Sequence, residues 1–209
     1  MFKFYVKKYI KLIMKRYGIF LKPNSDIYEF INKEKRKYKS LKNKQNFIDD
    51  IPHLTLFHGI FDDQNKLVDK FNNIKFNKDE VINFQISRPY IFFNDHKVGF
   101  NTLVYLIEKN DPLHYLQKKL LEKFNPFFPY EFFNLEKKYV TNLKKYNYPF
   151  VGDSYMPHIT ITNIQSSSNS DLCNSFLNRK IKLSGKFESI FLAEITNDIE
   201  IIKEKKNVL

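Results

Sequence analysis

The chain is poor in the residues that several common chemistries need. Cys173 is the only cysteine among 209 residues, so an internal disulfide and a cysteine-built zinc cage are both excluded, and a reducing compartment is the natural setting. Its surroundings, "DLCNSF", read as a helix face, which gives the thiol a structural role. Five glycines in all leave no Gly-rich loop to cradle phosphates, so Walker-type and Rossmann-type nucleotide sites are excluded. No run approaches the ~18 to 20 uninterrupted apolar residues of a membrane-spanning helix. The first twenty residues are broken by lysines and lack a small-residue cleavage site, so they do not read as a secretory signal. The expectation is a cytoplasmic protein.

Acidic residues are also scarce relative to basic ones, 23 against 35, for a formal net charge of +12. That balance favours anionic partners: nucleic acid, nucleotides or acidic membrane surfaces. Hydrophobic residues, at 43%, suffice for a core, and the length fits one domain.

Residues 1–16 form a candidate N-terminal extension. Phe2, Val6, Ile10, Ile13 and Met14 recur at helical spacing, and Lys3, Lys7, Lys11 and Lys15 occupy another face. Such a basic amphipathic helix suits an anionic membrane surface or a nucleic-acid backbone, and equally a terminal helix docked with its lysines in water. Residues 17–209 form the main domain. "YGIFLKP" (17–23) reads as a strand stopped by Pro23, and "NSDIYEFINKEKRKYKSL" as a helix capped from Asn24, Ser25 or Asp26. "PHLTLFHGIF" (52–61) is strand-like and "DQNKLVDKFNNI" helical; residues 81–93 and 99–108 flank the turn signal "NDHKVG" as a hairpin. "DPLHYLQKKLLEKF" (111–124) starts a helix with Asp111 as cap and Pro112 at the first helical position. A helix is predicted from Pro129 to about Tyr146, then the strand "SYMPHITIT", a helix around Cys173, and strands at 181–196 and 199–203. The two halves repeat one order of elements, which predicts a duplicated α+β unit with a mainly antiparallel sheet.

The repeat is sharpest at "IPHLTL" (51–56) and "MPHITI" (156–161). Two of the five histidines occupy the same frame, 158 − 53 = 105 residues apart. At average composition a given histidine meets the aliphatic-Thr/Ser-aliphatic frame about once in 50, so two of five by accident comes to under ~1 in 100. Strand side chains alternate, so His53 and Thr55 project to one face, as do His158 and Thr160, with Leu54, Leu56, Ile159 and Ile161 on the other. If the halves pair about a pseudo-twofold axis, the four polar side chains meet in one groove. Two imidazoles facing a phosphodiester can serve as general base and general acid, and both protonation states are accessible near pH ~6.5. The threonine hydroxyls can donate to the non-bridging oxygens. Phosphoryl transfer asks mainly for positioning and electrostatics, so no metal and no cofactor are required.

The paired motifs, together with "YGIFLKP", the "VGF" entry into "TLVYLIE", and "PLHYLQKKLLEKF", resemble the 2H phosphoesterase superfamily, which includes 2′-5′ RNA ligase-like proteins and cyclic phosphodiesterases. The resemblance runs over roughly residues 17–205. It implies a bilobal α+β fold, with antiparallel sheets lining a central cleft and helices on the outer faces. It also implies metal-independent cleavage of 2′,3′-cyclic phosphates or of 2′-5′-linked oligonucleotides, cyclic ones included, with ligation as the reverse direction. His53 and His158 carry over as catalytic residues, and Thr55 and Thr160 as phosphate binders. The rival function is a non-catalytic RNA- or nucleotide-binding protein with the same groove. Residues 1–16 and a long 125–150 segment depart from the family core.

Secondary candidates are Tyr155 and Phe57, as rings for base stacking or for core packing. Arg88 is either a phosphate contact or a solvated strand-edge arginine. His58, on the opposite face to His53, His96 in a turn and His114 in a helix form no metal-ligand spacing.

Overall fold

Residues 15–41, 47–76, 81–95, 100–128, 137–168, 170–196 and 199–208 are described by a computed structural model. Their order is β1 (Arg16–Pro23), α1 (Ser25–Arg36), β2 (Leu54–Ile60), α2 (Gln64–Asn72), β3 (Asn83–Asp95), β4 (Phe100–Ile107), α3 (Asp111–Phe124) and α4 (Lys137–Tyr146). There follow a 3-10 turn (Gly152–Ser154), β5 (His158–Ile164), α5 (Asp171–Leu177), β6 (Leu183–Thr196) and β7 (Ile199–Asn207). The basic helix expected over 1–16 falls outside the described residues except for Lys15 and Arg16, and Arg16 already belongs to β1. Of the helix expected from Pro129, the part from Lys137 is described. No described helix is long and apolar enough to cross a membrane.

All the strands pair antiparallel, in the order β1-β2-β5-β4-β3-β6-β7, and β6 also pairs with β1. The pairing therefore closes on itself through β1, β2, β5, β4, β3 and β6. Two blocks make up this circuit: β2-β1-β6-β7, called lobe A below, and β5-β4-β3, lobe B. They meet at one register pair between β2 and β5, Leu54 opposite Ile159, and along residues 83–86 of β3 with 183–186 of β6. The duplicated α+β unit is thus present, with one modification. Each half gives its third strand to the other half's block, and among the described residues β7 has no counterpart.

The duplication extends to irregularities. Between β1 and β2, Ile19 faces Phe57 and Phe20 faces Thr55, so Leu56 is the extra residue of a bulge. Between β4 and β5, Leu103 faces Thr162 and Val104 faces Thr160, so Ile161 is the extra residue. Each bulge follows the threonine of a His-x-Thr frame. A bulge frees a ladder carbonyl that must find another partner. For Leu56 that partner is Gln117, fully buried in α3, whose Nε2 donates to the Leu56 carbonyl at 2.9 Å and to the Phe150 carbonyl at 2.8 Å.

The helices bury apolar stripes on one continuous core: Ile27 and Ile31 of α1, Leu67 and Phe71 of α2, Leu113, Leu120 and Phe124 of α3, and Phe176 with Cys173 of α5. Cys173 lies within that core, as its sequence setting suggested. The cap of α3 is Asn110, not Asp111. The Asn110 side chain accepts from Leu113 N at 2.9 Å, one residue earlier than expected, and Pro112 then sits in the first turn where no intrahelical donor is needed.

Candidate active site at the crossing of the two halves

The Leu54–Ile159 pair lies on the pseudo-twofold axis, and each of its residues directly follows a candidate histidine. Each motif's histidine and threonine flank the residue that makes this crossing, His53 and Thr55 on one strand and His158 and Thr160 on the other. The four side chains are half-buried, while Leu54, Leu56, Ile159 and Ile161 are fully buried on the other face. The alternation expected from sequence is present at both motifs.

Each imidazole is oriented in the same way. His53 Nδ1 lies 2.8 Å from the Ile51 carbonyl, and His158 Nδ1 lies 2.7 Å from the Met156 carbonyl. A carbonyl only accepts, so in both rings Nδ1 carries the hydrogen, and the exchangeable site of the neutral ring is Nε2. Aromatic edges steady both rings: Phe20 at 4.6 Å from His53, and Phe92 at 5.1 Å from His158.

Sequence reasoning missed Glu200. Its carboxylate on β7 lies 3.4 Å from His53 Nδ1, in a site where both side chains are largely buried. A carboxylate at that range stabilises positive charge on the imidazole. Glu200 also acts at longer range on Lys35 of α1, which is 3% exposed. Lys35 Nζ donates at 2.6 Å to the Phe47 and Asp50 carbonyls, pinning the segment that leads into His53. Burial pushes the Lys35 pKa down to about 8, against the opposing pull of Asp50, Glu200 and Asp49. The unfolded lysine titrates near 10.4, so the folded protein carries the penalty below pH 8 and sheds it as the pH rises toward 10. The contribution of Lys35 is expected to raise unfolding free energy by ~1 to 2 kcal/mol between pH 8 and 9.5. Chemical denaturation of wild type and Lys35→Met at both pH values checks this; an unchanged difference between them would count against it.

The structure decides between the two readings of Tyr155 and of Phe57. Tyr155 is not a groove residue. It is 8% exposed, its hydroxyl donates to the Thr55 carbonyl at 2.9 Å, and its ring meets His114 at 5.3 Å. The 3-10 turn at 152–154 directs it inward, and burial raises its hydroxyl pKa well above the usual value. Its service to the site is structural, as a clamp on the Thr55 backbone. Phe57 is fully buried against Phe124 and Tyr148, because the Leu56 bulge breaks the alternation that would have put it beside Thr55. His58 is ringed by Phe128 and Tyr148. Arg88 is exposed on β3 and lies over the Tyr90 ring at 5.8 Å. His96 lies outside the described residues. Among the described residues no group of His, Cys, Asp and Glu is arranged to hold a metal ion. A cavity of about 340 Å³ lined by Asn94, Asn101, Gln165 and Ser166 lies at the far end of β5, away from the histidines.

The fold has solved counterparts. The chain matches TT0787 of Thermus thermophilus with a TM-score of 0.58 and 13% identity, covering 92% of this chain and 97% of that one. It matches LigT of E. coli complexed with NADP+ at a TM-score of 0.54 and 11% identity, over 93% and 98% of the two chains. LigT complexed with 3′-AMP matches at 0.51 and 12%, with the same coverage. No protein-family model and no curated protein sequence matches the chain. At these identities the comparison concerns architecture. The chain has the α+β fold of the 2H phosphoesterases, the one implied by the resemblance of its two motifs.

Proposed function

We propose that the protein is a metal-independent 2H-type phosphodiesterase acting on 2′,3′-cyclic phosphates or 2′-5′-linked oligonucleotides. One observation carries this reading: two His-x-Thr frames, each with Nδ1 fixed to the carbonyl two residues back, meet at the Leu54–Ile159 pair. The nucleotide and phosphate ligands of the architecturally similar LigT structures support a phosphate-bearing nucleotide substrate.

The chemistry follows from the two Nε2 positions. One neutral ring takes the proton from an attacking hydroxyl or water as the new P–O bond forms. The other, as imidazolium, gives its proton to the departing oxygen as the old P–O bond breaks. Thr55 and Thr160 donate hydrogen bonds to the non-bridging oxygens, whose charge persists through the transition state. Glu200 supports positive charge on His53. In reverse, the same two transfers join a hydroxyl to a cyclic phosphate.

A product screen over 2′,3′-cyclic mononucleotides, 2′-5′ dinucleotides and cyclic oligonucleotides, run with and without chelator, tests the proposal. Turnover is expected for at least one class, at equal rates in chelator, with a bell-shaped pH profile. Binding without product across the panel would favour the non-catalytic alternative.

A further inference from the structure

The pseudo-twofold axis makes the groove-facing surfaces of the two lobes comparable position by position, and they differ. In lobe A, Phe20 faces Thr55 and Phe191 faces Phe20. These rings stack at 5.1 Å and form a small buried cluster with Ala193, against which Ile51 and Ile195 pack. β7 extends this block beyond β6. In lobe B the equivalent positions are Val104, which faces Thr160, and Tyr90, which faces Val104. Among the described residues β7 has no counterpart there, and β6 pairs with β3 only over 83–86. Tyr90 and Phe92 are left half-exposed, and Arg88 is exposed.

The three side chains form one surface that runs up to the reactive centre. The Arg88 guanidinium lies 5.8 Å from the Tyr90 ring centre, Tyr90 meets Phe92 edge to face at 5.1 Å, and Phe92 meets His158 at 5.1 Å. We infer that this strip of β3 is the nucleoside subsite of the groove: Tyr90 stacks a nucleobase that Phe92 borders beside His158, and Arg88 takes a second phosphate of the same substrate. The inference rests on the phosphoesterase reading of His53 and His158, and it narrows the substrate to an oligonucleotide with at least two phosphates. Rings with a free π-face accept any base, and an arginine stacked over a ring remains able to pair with phosphate in its own plane. The net charge of +12 favours the same occupant. Among the described residues, the equivalent rings of lobe A, Phe20 and Phe191, are packed on one another instead.

The probe is a fluorescently labelled 2′-5′-linked triadenylate, with binding followed by anisotropy at several salt concentrations. Tyr90→Leu keeps apolar bulk and loses the ring's stacking face; it is expected to weaken binding ~5- to 100-fold. Arg88→Ala is expected to weaken binding about tenfold and to flatten the plot of log affinity against log salt by ~0.7, the share of one phosphate contact on a single strand. Circular dichroism of both variants should match wild type. Variants that bind as tightly as wild type, or a wild type that does not bind the probe, would overturn the inference. Turnover measured in parallel separates the two ideas. A wild type that binds at this strip without turning over the probe or any other member of the panel removes the phosphoesterase reading and keeps the subsite. A wild type that turns over beside variants equal to it in affinity does the reverse.

Discussion

Replacing His53 or His158 by alanine is expected to lower kcat by ~10²- to 10⁴-fold, the range set by losing one positioned proton carrier. The double variant should be about as slow as the worse single one, because the proton leaves one ring as the other supplies its own, and the two act as a unit. Near-additive losses would mean that each ring works alone on a different step. Neither ring belongs to the main core: each is half-buried, with a carbonyl at Nδ1 and aromatic edges beside it, and His53 also meets Glu200. Loss of activity should therefore come without loss of secondary structure, and circular dichroism with thermal melting provides that control. Activity retained in both single variants would remove the catalytic assignment.

The largest effect on stability is expected on the opposite face of the sheet. Glu34 of α1 is 4% exposed, yet it is a carboxylate. It accepts from the Tyr105 hydroxyl at 2.8 Å and pairs with Arg179 and Lys37. Arg179 lies over the Phe176 ring at 5.2 Å and the Tyr38 ring at 5.7 Å. Glu34→Ala leaves the Tyr105 hydroxyl and the Arg179 charge without this acceptor; Arg179 keeps a quarter of its side chain in solvent, so the cost falls below that of a fully buried pair, at ~2 to 4 kcal/mol. For a domain of this size that lowers Tm by roughly 10 °C. Glu34→Gln keeps an acceptor for Tyr105 and should lose less. A Tm within 2 °C of wild type for Glu34→Ala, at ~2 to 4 °C per kcal/mol, would show that the pair contributes little. The network bears on the site as well, since Tyr105 faces Ile159 across β4 and β5, and Ile159 faces Leu54 on the pseudo-twofold axis.

Much of this arrangement was legible along the chain because it is local. A His-x-Thr frame on a strand determines which side chains share a face, and its repetition at 105 residues marked the halves as related. Turn residues marked the β3–β4 hairpin, and Pro112 marked the start of α3, missing the cap by one because Asn110 and Asp111 are both good capping residues. What escaped the sequence reading depends on partners far away. Leu56 and Ile161 are ordinary aliphatic residues, and nothing beside them announces a bulge; the carbonyl freed at Leu56 is satisfied by Gln117, sixty-one positions on. That bulge is why Phe57 turned to the core. Its closeness to His158 leaves Tyr155 open to stacking or packing, and the turn before it decides for packing, with its hydroxyl on the Thr55 backbone. Glu200 reaches His53 because β7 adds to lobe A, a strand without a counterpart among the described residues of the first half. The same asymmetry leaves the Tyr90–Phe92 surface open, and a strict repeat would have hidden it.

The central claim is that both imidazoles address one phosphorus, and the most direct test is an experimental structure with a bound nucleoside phosphate or a vanadate ester. The account predicts Nε2 of His53 and Nε2 of His158 each within hydrogen-bonding distance of oxygens on a single phosphorus or vanadium, on opposite sides of it, with the Thr55 and Thr160 hydroxyls on its remaining oxygens. A phosphate held by one histidine alone, or bound away from the Leu54–Ile159 crossing, would contradict it.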